Sequence, residues 1–147
     1  MAMDCIFCSK NNTRVVNSRE TDGGSKIWRR RKCTTCIKVF STYEKPGLDF
    51  LVVEKRNSKH ERYQQHKLFA SIYDAVSGGK HTDRGDAAVL ANDVVGAIEH
   101  KLLISRKEVV RTSEIIDLAT DILETKDLGA CYRYASFAPH RGMKFGI

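Results

Sequence analysis

The chain has 147 residues, 41% of them hydrophobic, and a formal net charge of +7. This length is typical of one ordinary domain or two small ones, and because no apolar run approaches 18 residues the sequence excludes a transmembrane helix. Since the N-terminus lacks a charged start followed by an apolar stretch, we expect no secretory signal and predict a cytoplasmic protein.

The positive charge is concentrated at the start of the chain. Residues 1–48 contain ten Lys/Arg and four Asp/Glu, a net charge of +6, whereas residues 49–147 have a net charge of +1. Such asymmetry indicates that a polyanion binds the first third of the chain. A turn signal at residues 45–47 precedes an apolar stretch and predicts a domain boundary. The chain is therefore predicted to divide into residues 1–46, residues 49–139 and a C-terminal tail, residues 140–147.

The cysteines indicate a metal site. Five cysteines, an odd number, favour metal ligands or free thiols over a disulfide framework. Four of them form two Cys-x2-Cys motifs, and each motif can offer two thiolates from one tight turn. Together they complete a tetrahedral shell for Zn²⁺, which leaves no position for a reacting water, so the predicted zinc is structural. The predicted ligands are Cys5, Cys8, Cys33 and Cys36.

Between the two motifs we predict two strands, residues 13–18 and 26–31, joined by a turn at residues 20–25. Strands this short bury too little apolar surface to fold alone, which predicts a zinc ribbon stabilised by its metal. The alternative, a pair of redox-active dithiols, requires a surrounding βαβ pattern that the sequence lacks.

Residues 26–32 contain five cationic side chains immediately before the second cysteine motif. Because successive residues of a strand point to opposite faces, Arg29 and Arg31 are expected on one face. Arg30 and Lys32 are then expected on the other. Cations on a strand held by a metal site can bind nucleic-acid phosphates, which favours a nucleic-acid-binding surface. The alternative interpretation of these residues is a solvated charged loop. The surface is expected to be widened by Arg14, Arg19 and Lys38.

The second domain is predicted to begin with a β-hairpin, in which strands 50–55 and 60–63 flank a turn. Apolar residues at helical spacing then predict a helix over residues 69–76 that ends at Gly78-Gly79. Residues 128–138 are also expected to be helical, although their aromatic residues leave a strand open.

Two further helices are predicted between these segments. The first spans residues 91–102 and has Asp83 or Asp86 near its start, and the second spans residues 115–122. Thr112 or Ser113 is the expected N-cap of the second, because a side-chain oxygen at that position accepts a hydrogen bond from a free backbone N–H.

No catalytic constellation is recognisable in the second domain. Gly78-Gly79-Lys80 resembles a phosphate loop only superficially, because Asp74 occupies the position of the first glycine. The five histidines are scattered without an i, i+4 pair, and Cys131 lies in an apolar context that favours a packed thiol. We therefore predict a binding protein that is not an enzyme.

Over nearly its whole length the chain resembles the NrdR family of bacterial repressors of ribonucleotide reductase genes. The resemblance implies an α+β fold, in which a small four-cysteine zinc ribbon precedes a mostly helical ATP cone with an N-terminal β-hairpin. It rests on the two cysteine motifs and, in order, on NSRETDGGSKIWRRRKC (residues 17–33), FSTYE (40–44), LVVEKR (51–56), HKL (66–68) and YRYASF (132–137).

The resemblance also implies partners and site residues. It implies a homo-oligomer associated with the nucleoid that binds palindromic operator boxes in double-stranded DNA through the ribbon and senses ATP and dATP through the cone. The family's zinc ligands correspond to the four cysteines named above. Its DNA-facing residues correspond to Arg19, Arg29, Arg30 and Arg31, beside which Arg14 and Lys32 extend the basic surface. Its nucleotide-binding residues correspond to Val53, Lys55, Arg56, Glu61 and Lys67.

The chemistry of those last residues suits a nucleotide. The cations Lys55, Arg56 and Lys67 can bind a triphosphate, and Glu61 can accept hydrogen bonds from hydroxyl or amino groups. Without the resemblance, the same charges would read as a solvated hairpin. The sequence departs from the family pattern at Ile6, Asn17, Trp28, Ile37, Asn57, Ser58, Cys131 and Tyr132.

Three classes of function fit parts of this sequence. A nucleotide-responsive repressor uses both domains. A zinc-ribbon module that binds RNA or assists translation, without nucleotide sensing, leaves the cationic hairpin unexplained, and a detached allosteric cone of a reductase leaves the ribbon unexplained. We therefore predict the repressor; its operator, its oligomeric states, the number of nucleotides per cone and the nucleotide that promotes DNA binding are not specified by the sequence.

Overall fold

A computed structural model describes residues 2–137 of the chain. The chain divides into two compact units, with the division between Gly47 and Leu48. The predicted α+β class is confirmed, because the first unit is built of strands and the second combines short strands with four helices. The predicted tail and His140 lie outside the described residues. None of the helices within residues 2–137 has the length and apolarity needed to cross a membrane.

The first unit is an antiparallel sheet in the strand order β1-β2-β3. A 3₁₀ turn at Asp22–Gly24 joins β1 to β2, and Gly23 and Gly24 have φ values of 65° and 86°, a region that favours glycine. The predicted hairpin is confirmed with longer strands, whereas the third strand was not predicted. The strands are β1 (Thr13–Thr21), β2 (Lys26–Cys33) and β3 (Val39–Glu44).

This unit has little apolar interior. Among its described residues, the buried apolar cluster consists of Cys5, Cys33 and Phe40, with Cys8 and Cys36 packed against it. Four of these five residues are predicted metal ligands. A core of this size cannot offset the conformational entropy lost on folding. We therefore expect the stability of this unit to depend on a metal ion held by the cysteines.

A β-bulge interrupts the pairing of β1 with β2 between Val15 and Asn17. In a regular strand Arg14 and Arg19, five residues apart, would point to opposite faces. The extra residue at the bulge reverses the alternation. As a result Arg14 is paired with Lys32 and Arg19 with Trp28, so both arginines lie on the same face of the sheet.

The second unit begins with the predicted hairpin. Strand β4 (Val52–Glu54) pairs antiparallel with β5 (His60–Arg62), and it pairs parallel with β6 (Val109–Arg111), which was not predicted. In the turn between β4 and β5, Ser58 adopts a φ of 61°. The helices are α1 (Gln65–Ser77), α2 (Arg84–Ile104), α3 (Thr112–Lys126) and α4 (Leu128–Phe137).

The helices and the hairpin enclose one apolar core. Helix α1 packs against α2 and α4, and α3 packs against the same two helices. Leu51 from the hairpin, Ile72 from α1 and Ile98 from α2 are fully buried. Each such side chain contributes about 1.5–3 kcal/mol to folding, so this unit has the interior that the first one lacks. Residues 128–137 are helical, which excludes the strand that their aromatic residues left open.

Asp83 lies at the start of α2, as expected, and is its N-cap, whereas the start of α3 corrects a predicted cap. The carboxylate of Asp83 accepts hydrogen bonds from the backbone N–H groups of Gly85 and Asp86, at 2.8 and 3.3 Å. The N-cap of α3 is Arg111, so the prediction of Thr112 or Ser113 was wrong. The reason is that β6 runs directly into α3. Thr112 is already helical, and its hydroxyl donates to the carbonyl oxygen of Glu54 at 3.2 Å.

Gly78-Gly79 lies at the end of α1, as predicted, and is not a phosphate loop. The side chain of Arg133 passes over it, and a Cβ atom on Gly78 would lie 2.9 Å from Cδ of Arg133. The Nε–H of Arg133 donates to the carbonyl oxygen of Ala75 at 2.6 Å. A cation here satisfies a free carbonyl at the C-terminus of α1, and the glycines leave room for it.

Candidate functional site

The four predicted zinc ligands lie together in the first unit. Their Sγ atoms are all within 4.8 Å of one another. The separation is 3.6 Å between Cys5 and Cys36 and 3.7 Å between Cys8 and Cys33. Sulfur atoms at the corners of a tetrahedron with Zn–S bonds of about 2.3 Å are about 3.8 Å apart. The donor set and its spacing therefore fit a four-coordinate structural Zn²⁺.

Backbone N–H groups of the two cysteine turns donate to the ligand sulfurs. The N–H of Phe7 is 3.4 Å from Sγ of Cys5, and the N–H of Thr35 is 3.3 Å from Sγ of Cys33. The pKa of Cys33 is lowered to about 6, most strongly by the N–H of Cys36 and also by the N–H of Thr35. Burial has the opposite effect on this pKa but is outweighed. Since the thiolate is the form that binds metal, these N–H groups favour the ligand state of Cys33. At Cys36, against the effect of the Lys38 N–H, burial and the neighbouring sulfurs raise the pKa to about 11.

The sheet of the first unit has one face that is rich in cations. This basic face is defined by Arg14 and Arg19 from β1 and by Trp28, Arg30 and Lys32 from β2, which the strand register places side by side. The carboxylates of the strands themselves, Glu20 and Glu44, are paired in register with Ile27 and so belong to the opposite face. These four cations of the basic face have no strand carboxylate among them. A fifth cation, Lys26, lies on the same face by alternation, but it forms an ion pair with Asp22 of the 3₁₀ turn at 2.6 Å.

Arg29 and Arg31 lie on the face opposite to the basic face, as strand alternation predicted. Nε and Nη2 of Arg29 are 3.1 and 3.2 Å from the two carboxylate oxygens of Glu44. The Nε–H of Arg31 donates to the hydroxyl of Thr42 at 3.2 Å. The six predicted DNA-binding residues are thus divided, with four on the basic face and two bound to neighbours on the other.

The basic face also presents aromatic rings. The guanidinium carbon of Arg19 is 4.5 Å from the ring centroid of Trp28. Tyr43 on β3 is paired in register with Trp28 and is 69% exposed. Sequence reasoning gave Tyr43 no role because β3 was not predicted. The β-branched and aromatic residues of Val39–Glu44, which favour strands, were the signal for that strand.

All five predicted nucleotide-binding residues line two adjoining cavities in the second unit. The larger cavity, about 850 Å³, is lined by the hairpin cations Lys55 and Arg56 and also by Lys59 and His60. The smaller one, about 170 Å³, is lined by Val53 and Lys67 together with apolar residues of α1, α3 and α4. Lys55, Glu61 and Thr112 line both cavities. Thr112 is a lining residue that sequence reasoning treated only as a helix cap.

Glu61 lies between two of the lysines. Its Oε2 atom is 3.0 Å from Nζ of Lys55, and its Oε1 atom forms an ion pair with Nζ of Lys67. Hydrogen bonds from Lys67 and then from Lys55 lower the pKa of Glu61 to about 2. The carboxylate thus occupies both cations, and any anion that binds them must compete with it.

A polar network joins this hairpin to α2. The hydroxyl of Tyr63 donates to Oε1 of Glu99 at 3.0 Å, and the side-chain amide of Gln65 donates to Oε2 of Glu99 at 3.0 Å. Burial, and then the carboxylate of Glu99, raise the pKa of Tyr63. Because Tyr63 and Gln65 lie between Glu61 and Lys67 in the chain, this network holds in place the segment that carries both of them.

We expect Glu61→Gln to change the pH dependence of unfolding of the second unit. The pKa of Glu61 is lower in the folded chain than the ordinary value of 4.5, so its contribution to stability is full above about pH 4.5 and is lost as the pH falls through about 2. The difference from the parent should therefore be largest near neutral pH and vanish near pH 2. Its size should be small, because solvent screens these partly exposed pairs.

Urea unfolding measured by far-UV circular dichroism tests this expectation, since the four α-helices within residues 2–137 all belong to the second unit. In a Lys55→Met/Lys67→Met background, the same replacement of Glu61 should produce no pH-dependent difference. Parallel pH profiles of the parent and of Glu61→Gln would show that the ion pairs do not form in solution.

Comparisons with known proteins give the family. The sequence model described as "Transcriptional repressor NrdR-like, N-terminal domain" matches residues 3–44. The chain is 34% identical over 134 residues to the transcriptional repressor NrdR of Lachnoclostridium phytofermentans, covering 91% of this chain and 84% of that protein. Its identity is 35% to the proteins of the same name from Acidovorax sp. and Agathobacter rectalis, again over 91% of this chain and over 87% and 85% of theirs. This chain therefore belongs to the NrdR family of transcriptional repressors.

Proposed function

We propose that this protein is a nucleotide-responsive repressor that binds operator DNA upstream of ribonucleotide reductase genes. The observation that carries the proposal is the basic face, where four cations stand on a sheet braced by a predicted zinc site. In this proposal the protein is a homo-oligomer of the cytoplasm associated with the nucleoid, it binds palindromic operator boxes, and ATP or dATP controls its assembly and thereby its DNA binding. It is not an enzyme.

The arrangement of charge supports duplex DNA as the partner of the first unit. Binding of a protein cation to a phosphate releases counterions, so affinity grows with the number of unpaired cations that reach the backbone. Arg14, Arg30 and Lys32 share the basic face without a strand carboxylate. Arg29 is already paired with Glu44. We therefore assign the phosphate contacts to the basic face, with Arg29 and Arg31 as supports of the sheet.

The cavities of the second unit support nucleotide sensing. The cations Lys55, Arg56 and Lys67 line them and match the charge of a triphosphate. The apolar lining of the smaller cavity, from residues such as Leu68 and Ile115, suits a nucleobase. Glu61 competes with phosphate for Lys55 and Lys67, so in this proposal nucleotide binding releases the carboxylate to hydrogen-bond the ligand.

Two double variants test the assignment of the DNA surface. Arg14→Ala/Arg30→Ala and Arg29→Ala/Arg31→Ala remove the same charge from opposite faces of one sheet. We expect the first to weaken binding and to lower the log–log salt slope by about 1.8, since each phosphate contact contributes about 0.9. The second should leave the slope unchanged.

The measurement is a salt titration of binding to duplex promoter DNA from the source genome, with ATP and with dATP. Zinc content at the level of the parent serves as the check that each variant is folded. If Arg29→Ala/Arg31→Ala lowers the slope and Arg14→Ala/Arg30→Ala does not, the DNA surface is the opposite face.

A second candidate function is binding of single-stranded RNA. The aromatic rings of Trp28 and Tyr43 on the basic face favour it, because unpaired bases stack on exposed aromatic side chains of sheets. Competition distinguishes the two functions. A repressor should retain promoter DNA when single-stranded RNA of equal length is added in excess, whereas an RNA-binding module should release it.

A further inference from the structure

The middle of the basic face is a row of three side chains that crosses all three strands. Arg19 on β1 is paired in register with Trp28 on β2, and Trp28 is paired with Tyr43 on β3. Side chains paired across neighbouring strands stand on the same face of the sheet. The row therefore combines one guanidinium with two aromatic rings. The other rows of this face combine cations with small or aliphatic residues, such as Arg30 with Asn17 and Ser41.

We propose that Arg19 is the residue of the basic face that reads a base edge, and that Trp28 is the positioning residue that holds its guanidinium in place. The inference rests on the proposed binding of duplex DNA. It adds that the residues of that surface have two different roles. Arg14, Arg30 and Lys32 contact phosphates and set affinity, whereas the pair of Arg19 and Trp28 sets sequence preference.

The stacking geometry supports this role. A guanidinium over an indole ring is attracted by the π electrons, and when the two planes are parallel this contact uses the flat surface of the guanidinium and leaves its N–H edge free. The N–H edge is the part that forms two parallel hydrogen bonds to O6 and N7 of a guanine. A guanidinium that is already held flat loses less side-chain entropy when those bonds form.

The surroundings of Arg19 on β1 differ from those of Arg29 and Arg30 on β2. Nη1 of Arg30 donates to the hydroxyl of Ser41 at 3.3 Å, and Arg29 is paired with Glu44. Within residues 2–137, the contact recorded for the guanidinium of Arg19 is the ring of Trp28. The N–H donors of Arg19 thus remain available on a face without strand carboxylates. Arg19 lies on this face, with Arg14, because of the bulge in β1.

The sole tryptophan of the chain makes the stack measurable without DNA. Trp28 is the only tryptophan among 147 residues, so intrinsic emission reports on its environment alone. Removing the guanidinium in Arg19→Ala should change the emission spectrum of the free protein while the zinc content stays at that of the parent. Arg14→Ala, a matched change on the same strand and face, should leave the spectrum unchanged.

Sequence preference is measured with duplexes that the full-length protein selects from a randomised pool. We expect Arg19→Ala to lose roughly 5- to 150-fold of discrimination at one base pair, the range for a bidentate contact. Trp28→Leu should lose much of the discrimination at that same base pair with the salt slope of the parent, and Trp28→Phe should restore it. Arg14→Ala should weaken binding to all duplexes by the same factor and lower the log–log salt slope of binding by about 0.9.

The outcomes separate this inference from the proposal on which it rests. If Trp28→Leu weakens all duplexes by the same factor, or if Trp28→Phe fails to restore discrimination, Trp28 is only a structural residue and the inference is overturned. If Arg19→Ala keeps the preference of the parent, Arg19 does not read a base. If no duplex is enriched and Arg14→Ala has no effect on salt dependence, the DNA-binding function itself fails.

Discussion

Cys33→Ser will release the metal and unfold the first unit, while the second unit stays folded. Cys33 is fully buried, and with Cys5 and Phe40 it forms the apolar cluster of that unit. Structural zinc contributes about 10–16 kcal/mol to the folding of small metal-binding domains, which equals or exceeds the whole stability of an ordinary domain, about 5–15 kcal/mol. Loss of one of four ligands therefore removes the main source of stability.

The measurement combines metal analysis with circular dichroism after purification without chelators. The parent should contain one zinc per chain and Cys33→Ser should contain almost none, whereas the helical signal of the second unit should persist. A parent protein with less than about half an equivalent of zinc, or with dithiols that cycle between oxidised and reduced states, would contradict the metal site.

Cys131→Ser is the matched control, because it makes the same chemical change in the other unit. Cys131 is buried, and its thiol donates to the carbonyl oxygen of Thr120 at 3.6 Å. Burial, and then the carboxylates of Glu124 and Asp121, raise the pKa of this thiol, so it is the packed thiol that the sequence predicted. This variant should keep its zinc and lose stability only in the second unit.

The metal ligands were predictable because their signal is local. Two cysteines separated by two residues can bind one ion from a single turn, so Cys5, Cys8, Cys33 and Cys36 required no knowledge of the rest of the fold. The same holds for the helices, since an apolar stripe at Ile72 and Val76 or at Ile98 and Leu102 follows from helical geometry alone.

The division of the predicted DNA-binding residues between the two faces of the sheet was only half predictable. Alternation along β2 correctly separated Arg29 and Arg31 from Arg30 and Lys32. The position of Arg14 relative to Arg19 depends on the bulge at Val15–Asn17, and two neighbouring valines in a strand give no sign of a bulge. The register of β3, which brings Tyr43 beside Trp28, is likewise set by long-range pairing.

The corrected cap of α3 has a similar cause. Thr112 has the side chain of a good N-cap, and local preference therefore selected it. Parallel pairing of β6 with β4, across more than 50 residues of chain, places the helix start one residue earlier and directs the Thr112 hydroxyl to Glu54. Backbone hydrogen bonds between distant strands outweighed a local preference worth about 1 kcal/mol.

ATP and dATP should produce different size distributions of this protein, with DNA binding following one of them. A zinc ribbon alone offers a small footprint, so specific recognition of an operator requires several copies at fixed spacing. A nucleotide can shift the assembly only as far as it binds one arrangement better than another. In our proposal the cavities lined by Lys55, Glu61 and Lys67 carry that difference.

The difference of one ribose hydroxyl is large enough for such a switch. One hydrogen bond changes binding by about 0.5–1.5 kcal/mol, and this difference adds across the subunits of an oligomer. A change of about 5.5 kcal/mol moves a two-state equilibrium from 1:99 to 99:1. In our proposal phosphate displaces Glu61 from its ion pairs with Lys55 and Lys67, and the released carboxylate accepts a hydrogen bond from the ribose.

Light scattering of the full-length protein with ATP, with dATP and without nucleotide tests this prediction. Lys55→Ala and Lys67→Ala should abolish the response to both nucleotides, because each removes a cation that holds the phosphates. Glu61→Gln keeps both cations and should still bind triphosphate, but its mass distributions with ATP and dATP should converge. Equal masses of the parent in all three conditions, or lysine variants that respond like the parent, would leave a repressor whose DNA binding is independent of nucleotide.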